Sequence, residues 1–147
     1  MLTYRGVLAP GTQKKIHLST NDGLTGYRLK EFSLMSVTPG AVANVTFIGQ
    51  VHTTDQATTI EPTVNLGDPS LIGVNYYQDH QNAGYYAQQI ILDSETINQD
   101  VYIYVVDPDG GTVSCNYYIA FEKFKIGLNE STATTLKNIR QSAADRL

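Results

Sequence analysis

Side chains that commonly carry out chemistry are scarce in this chain of 147 residues, which has three histidines, one cysteine and no tryptophan. His17 and His52 fall on the polar side of alternating segments, and Asp55 and Asp79 place carboxylates near His52 and His80. A hydrolytic site also needs a positioned nucleophile, and the sequence has no G-x-S-x-G motif. We therefore expect solvated histidines and a protein that is not an enzyme.

The sequence also lacks the pattern of a metal site. Metal sites of jelly-roll enzymes combine clustered histidines with a carboxylate, whereas the histidines here are dispersed and form no H-x-H motif. The segment 107–111, D-P-D-G-G, superficially resembles an EF-hand calcium loop, which has glycine at its sixth position and glutamate at its twelfth. Here the first glycine is fourth and Tyr118 is twelfth. We predict a hairpin turn and no cofactor, and leave open an adventitious ion at Asp107 and Asp109.

Composition excludes several classes of partner. The net charge is -4 and the ten basic residues are scattered, which argues against nucleic acid. No apolar run approaches the roughly 18 residues of a membrane span, so no membrane contact is predicted. The first residues have no apolar segment typical of a secretory signal, and we expect folding in a cytoplasm. Cys115 has no disulfide partner and is predicted to be a small buried hydrophobe.

Alternating apolar and polar residues predict about seven or eight strands separated by turn residues. No helical pattern lies between them, so we predict a single all-β domain, a jelly-roll-like antiparallel sandwich over residues 1–128. The alternation slips between Lys30 and Glu31 and between Glu122 and Lys123, and such slips are typical of β-bulges. The predicted strands cover residues 14–19, 26–35, 43–53, 71–77, 85–92, 101–106 and 115–126, with 101–106 central.

Two further segments are predicted from their residue pattern. Residues 53–69 are polar, rich in threonine and interrupted by prolines, which predicts a long surface loop with a short edge strand at 63–66 as one option. In residues 129–147, Leu136, Ile139, Ala143 and Leu147 recur at helical spacing. A short helix with so thin an apolar stripe is marginal alone in water. It packs either on its own sandwich or on a neighbouring subunit.

The ten tyrosines are the most suggestive side chains. Three Tyr–Tyr doublets each place one ring on either face of a strand, and Tyr102 and Tyr104 lie opposite in parity to the apolar residues beside them. Outward tyrosines are common at interfaces and in carbohydrate sites, while the alternative is that they only pair across strands. The predicted interface residues are Tyr77, Tyr86, Tyr102, Tyr104, Tyr118, Leu136, Ile139 and Leu147.

Two segments resemble a known group of proteins. They are T-G-Y-R-L-K-E-F at 25–32 and N-Y-Y-I-A-F-E-K-F at 116–124, the latter followed by a polar, arginine-containing helix. They resemble small β-sandwich structural proteins of tailed bacteriophages, particularly marine ones. In that group a G-Y-R-[IL]-K-x-F strand lies near the start and an N-Y-x-I-x-x-E-K strand near the end. The match covers these segments and the general layout, while residues 53–69 match nothing in that group.

The resemblance implies a virion protein, assembled in the cytoplasm of a bacterial host. We expect an auxiliary capsid protein, of the decoration or cement type, that stabilises the head through many contacts. Its expected partners are further copies of itself, with a trimer as one candidate, and other virion proteins such as the major capsid protein. The alternatives are a receptor- or glycan-binding module of a tail or fibre and, third, a cupin-like metal enzyme.

Overall fold

The computed structural model describes residues 1–20, 22–40, 44–80, 84–92 and 94–145, with side chains up to residue 139. These residues form two antiparallel sheets and one C-terminal helix, which confirms the prediction of an all-β sandwich. The elements are β1 (Leu2–Leu8), β2 (Thr12–Ile16), β3 (Thr25–Ser36), β4 (Val45–His52), β5 (Leu71–His80), β6 (Gly84–Ile91), β7 (Val101–Val106), β8 (Cys115–Lys125) and α1 (Leu128–Asp145).

The two sheets differ in size. One has three strands in the order β1-β8-β3, and the other has five in the order β2-β7-β4-β5-β6. β7 returns to lie beside β4, at the end of the β4-β5-β6 series, which is a Greek-key order. A jelly roll contains two Greek keys in two sheets. Because β6 pairs with β5 to make a sheet of five, the jelly-roll topology is not confirmed. β7 is an interior strand, as predicted.

Two strand predictions differ from the structure in whether a strand forms, and β2 lies at Thr12–Ile16 rather than at 14–19. β1 is not among the predicted strands; it forms the edge of its sheet, and its apolar content is diluted by Arg5 and Gly6. No strand forms at 63–66, where Val64 and Leu66 are exposed and the amide of Asp68 closes a turn onto the carbonyl of Asn65. Residues with exposed apolar side chains at this point gain little from joining a sheet.

One of the two predicted bulges is present. The β3–β8 register passes from Leu29 opposite Phe121 to Glu31 opposite Ala120, so Lys30 is the extra residue. The second prediction, between Glu122 and Lys123, is wrong, because the same register continues without a break to Lys125.

The side chain of Phe124 therefore points to the outer face, which the sequence alternation does not reveal. The guanidinium of Arg28 lies 4.6 Å from the centre of the Phe124 ring, a cation–π contact. A Cβ at Gly26, which lies opposite, would come within 2.8 Å of the ring. Glycine at this position leaves room for Phe124 to lie flat across β3.

The residues 107–111 form the predicted turn, but it does not join a hairpin. The amide of Gly110 donates to the carbonyl of Asp107 at 3.0 Å, and Gly110 has a positive φ of 77°, which favours glycine. The turn carries the chain from β7 in the larger sheet to β8 in the smaller one. It is therefore a connection between the layers of the sandwich.

The core lies between the sheets and is rich in aromatic rings. Phe47 and Tyr77 stack with their centroids 5.8 Å apart, and Phe121 contacts Tyr4 and Tyr27 edge to face. Such pairs add to the gain from apolar burial. Each of these pairs lies within one sheet, and the buried core between the sheets is formed by residues of both.

Cys115 is completely buried in this core, as predicted. Burial raises the pKa of its thiol to about 12, so the thiolate required for reaction is scarce near neutral pH. We expect no labelling of the folded protein by a thiol reagent at pH 8, and complete labelling after denaturation. Rapid labelling of the native protein would show that the two sheets separate around this residue.

Candidate functional site

Two of the predicted interface tyrosines are covered by the chain's own residues. Tyr77 is 1% exposed and Tyr104 is 2% exposed, so the expectation that these two rings are exposed for contact with another chain is wrong. Tyr77 lies on the inner face of β5, opposite Phe47 in the core. Tyr104 does lie on the outer face of β7, opposite Gln50, but a loop covers it.

The loop is the cover segment, residues 53–69, which packs across the outer face of the five-stranded sheet. Gln50 donates from Nε2 to the carbonyl of Thr63 at 2.8 Å. Gln13 on β2 accepts from the amide of Gln56 and donates to Asp55. Because side chains from β2 and β4 hold the segment, β4 is buried on both faces.

His52 is buried beneath the cover segment, at 3% exposure, so the expectation that it is solvated is wrong. Its Nδ1 lies 3.0 Å from the hydroxyl of Ser70 and its Nε2 lies 2.9 Å from Oε1 of Gln50. Since the Gln50 amide oxygen can only accept, Nε2 carries the proton. The ring also stacks on Tyr104 at 5.6 Å and an angle of 11°.

A polar cleft of about 540 Å³ lies between the cover segment and the sheet. Burial, followed by the carboxylates of Glu61 and Asp68, raises the pKa of Tyr104 to about 12. Gln50 and His52 form the floor of the cleft, and their polar side chains are hydrogen-bonded to other groups of the chain. These buried polar side chains therefore hold the cover segment against the sheet through their hydrogen bonds.

The other two histidines are less enclosed. His17 is exposed, as predicted, with Nδ1 3.2 Å from Asp100, and His80 is partly buried with Nε2 2.8 Å from the hydroxyl of Thr46. Over the described ranges, no three His, Cys, Asp or Glu residues come together as metal ligands. The helix described here is not long and apolar enough to cross a membrane.

The carboxylate of Asp100 binds the segment that connects β2 and β3. Its Oδ1 accepts from the amides of Leu18 and Ser19, both at 2.9 Å, and its Oδ2 lies 3.3 Å from the Lys15 ammonium. Burial alone would raise the pKa of this carboxyl, but the two amides and Lys15 outweigh burial and lower the pKa to about 2. The structure therefore favours the ionised form.

We expect Asp100→Asn to lower the free energy of unfolding by about 2 kcal/mol at pH 7. Because the folded pKa is below the ordinary value, this stabilisation is complete above about pH 5 and disappears as the pH falls towards 2. Urea unfolding at several pH values measures it, with Asp109→Asn at an exposed turn as the control. A deficit that stays constant down to pH 2 would contradict the role of the charge.

Helix α1 packs on the sandwich through polar residues. Ser131, Thr134 and Asn138 form its buried side. Asn98, 1% exposed, donates from Nδ2 to the hydroxyl of Thr135 at 2.6 Å, and the Ser131 hydroxyl donates to the carbonyl of Gly23. The helix therefore packs on its own domain, one of the two arrangements left open by the sequence, but not through its apolar stripe.

The apolar residues of α1 face outward instead. Leu136 and Ile139 are 46% and 54% exposed, and Leu128 is exposed at the first turn. With 3.6 residues per turn, these three share one flank of the helix; we call it the α1 flank. The predicted contact at Leu147 lies outside the described residues, as does the side chain of Ala143.

A second exposed apolar surface lies on the outer face of the three-stranded sheet. Val7 and Met35 both lie opposite Asn116, and Tyr118 is two residues further along the same face of β8. The side chains of Val7, Met35 and Tyr118 are exposed. Tyr102, in contrast, is only partly exposed and lies beside Lys15.

β6 is exposed on both of its faces. Tyr85 is 68% exposed on the inner face and Tyr86 is exposed on the outer face, so the prediction of an outward Tyr86 is confirmed. In the described part of the chain β6 pairs only with β5, and the opposing sheet has too few strands to cover it. The sequence signal for this open edge is the segment 84–91, G-Y-Y-A-Q-Q-I-I, which has no charge and no proline.

Comparison of the chain with protein-family models, with curated proteins and with solved structures found no match.

Proposed function

We propose that this chain is a structural subunit that works by contact, as an auxiliary capsid protein of a tailed-phage virion with no catalytic activity. The orientation of α1 carries the proposal. A helix in a monomer ordinarily turns its apolar side to the core, whereas α1 buries Ser131, Thr134 and Asn138 and exposes Leu136 and Ile139. This orientation is favourable when another chain covers the α1 flank.

Exposed apolar surface marks interaction sites, and the described residues carry it in three regions. They are the α1 flank, the outer face around Val7, Met35 and Tyr118, and β6. A subunit with several separate contact regions binds a repeating shell with high avidity even when each contact is weak. The proposed partners are further copies of the chain and the major capsid protein.

The test is binding of the purified chain to capsids that lack it. Ile139→Lys and Leu136→Lys place charges on the α1 flank, and we expect each to weaken binding about tenfold or more, which corresponds to at least 1.4 kcal/mol. Glu130→Lys, at an exposed position on the side of α1 away from Leu136 and Ile139, is the matched control and should bind like the parent. Equal occupancy of the capsids by all three variants would overturn the proposed role of α1.

A glycan-binding module of a tail or fibre is the second candidate. The exposed Tyr85 and Tyr86 favour it, because aromatic rings that combine an apolar face with a hydroxyl suit sugars. A glycan array discriminates the two functions. Saturable binding that is lost in Tyr86→Ala supports the module, while no binding together with capsid binding supports the shell protein.

A further inference from the structure

We propose that β6 pairs with β6 of a second copy of this chain, in an antiparallel arrangement around a two-fold axis at Ala87. The proposal does not depend on the virion function, since it concerns the purified chain alone. Its result is a dimer in which the two five-stranded sheets continue across the contact. This symmetry differs from that of a trimer, which would need another surface.

The hydrogen-bonding groups of the free edge can be assigned from the pairing with β5. The amide of Leu92 donates to the carbonyl of Ile72 at 2.9 Å, and antiparallel strands alternate between hydrogen-bonded and non-hydrogen-bonded residues. The even-numbered residues of β6 therefore bond to β5. Tyr85, Ala87 and Gln89 direct their N–H and C=O groups to the open side, where a further strand is the matching partner.

The other sheet edges are protected. β2 carries Lys14 and Lys15, and β1 carries Arg5, charges of the kind that discourage edge pairing. On β3, Phe32 donates its amide to Oε1 of Gln89 at 2.9 Å and accepts at its carbonyl from a side-chain amide of β5 at 2.8 Å. Among the residues that the structure describes, β6 has neither charges nor such a cover, so it is the edge open to another strand.

The residue order of β6 favours a second copy as the occupant. An axis at Ala87 sets Ala87 opposite its own copy, Tyr85 opposite Gln89, and Tyr86 opposite Gln88. The smallest side chain lies on the two-fold axis, where it meets its own copy, and no like charges meet although the whole chain has a net charge of -4. Three hydrogen-bonded residue pairs give about six backbone hydrogen bonds across the contact.

The tyrosine and glutamine side chains are also compatible in this register. Within one strand the hydroxyl of Tyr86 donates to Oε1 of Gln88 at 3.2 Å. In the paired strands the same two residue types face each other across the axis, so the hydroxyl and amide have partners there as well. Rings and amides opposite one another suit cross-strand pairing.

Cysteine cross-linking tests both the dimer and its register. In the proposed pair the Cα atoms at position 87 are about 5.5 Å apart, within the range for a disulfide, so Ala87→Cys should oxidise to a covalent dimer. Tyr85→Cys is the matched control, because its copies lie four residues apart along the strands, about 14 Å, and should form no disulfide-linked dimer. The native Cys115 is buried and adds no background.

Sedimentation equilibrium of the unmodified chain, with Ala87→Pro, measures the affinity. Proline removes the outward N–H without touching the β5 ladder and is tolerated on edges, so we expect the dimer dissociation constant to rise about tenfold or more. Thr58→Lys, at an exposed position of the cover segment, should leave it unchanged. The pairing is overturned if the unmodified chain stays monomeric at millimolar concentration. It is also overturned if Ala87→Cys and Tyr85→Cys cross-link equally. Neither result bears on capsid binding by α1.

Discussion

His52→Ala is expected to lower the free energy of unfolding by about 3 kcal/mol. The substitution removes the donor to Oε1 of Gln50, a hydrogen bond to Ser70 and the stack on Tyr104. It also leaves a cavity under the cover segment. For a chain of this length, the loss corresponds to a fall in Tm of about 10 °C.

Thermal unfolding by circular dichroism measures the effect, and His17→Ala is the matched control. His17 is exposed, so its removal should change stability by less than about 0.5 kcal/mol. Limited proteolysis adds a local readout, since a released cover segment should be cut between 53 and 69 in the His52 variant only. Equal stability of the two variants would contradict the role of His52 in holding the segment.

Asn98→Ala is expected to release α1 from the sandwich while the sheets stay folded. Asn98 donates from its amide nitrogen to the hydroxyl of Thr135 at 2.6 Å and to the carbonyl of Gly23 at 3.2 Å. Its removal leaves the Thr135 hydroxyl without this donor in a buried contact, while the Gly23 carbonyl keeps the hydroxyl of Ser131. The expected loss is about 2 kcal/mol. Because few apolar contacts hold the helix, we expect this loss to lower the free energy required to detach α1 from the sandwich.

Hydrogen–deuterium exchange resolves the local effect. The amides of α1 should exchange about 30-fold faster in Asn98→Ala, equivalent to 2 kcal/mol, while those of β4 and β7 should not change. Gln88→Ala, at an exposed position of β6, is the control. Uniform loss of protection throughout the chain would mean that α1 and the sandwich unfold together, contrary to the separate anchoring inferred here.

Residue alternation was sufficient to predict most of the strands. The predicted bounds of β7 agree with the structure at both ends, because every second side chain is apolar and faces the core. The bulge at Lys30 is also predictable from the sequence, since an extra residue moves every later side chain of the strand to the opposite face. β1 is not predicted, because an edge strand has one weakly covered face and its alternation of apolar and polar residues is therefore weaker.

The interaction surfaces were harder to predict because they depend on what covers each face. Alternation put Tyr104 and His52 on the outer side of their strands, but did not reveal that residues 53–69 would cross over them. Leu136 and Ile139 were found from their spacing, whereas the anchoring side chain, Asn98, precedes β7 and is distant in sequence from α1. Contacts of that kind follow from topology.

The central claim, that the chain works by multivalent contact in a virion, is tested most directly by its copy number in purified phage particles. Quantitative mass spectrometry against the major capsid protein provides this number. The account predicts on the order of hundreds of copies per particle, as expected for a subunit that binds a repeating shell. Complete absence of the chain from purified particles would contradict it.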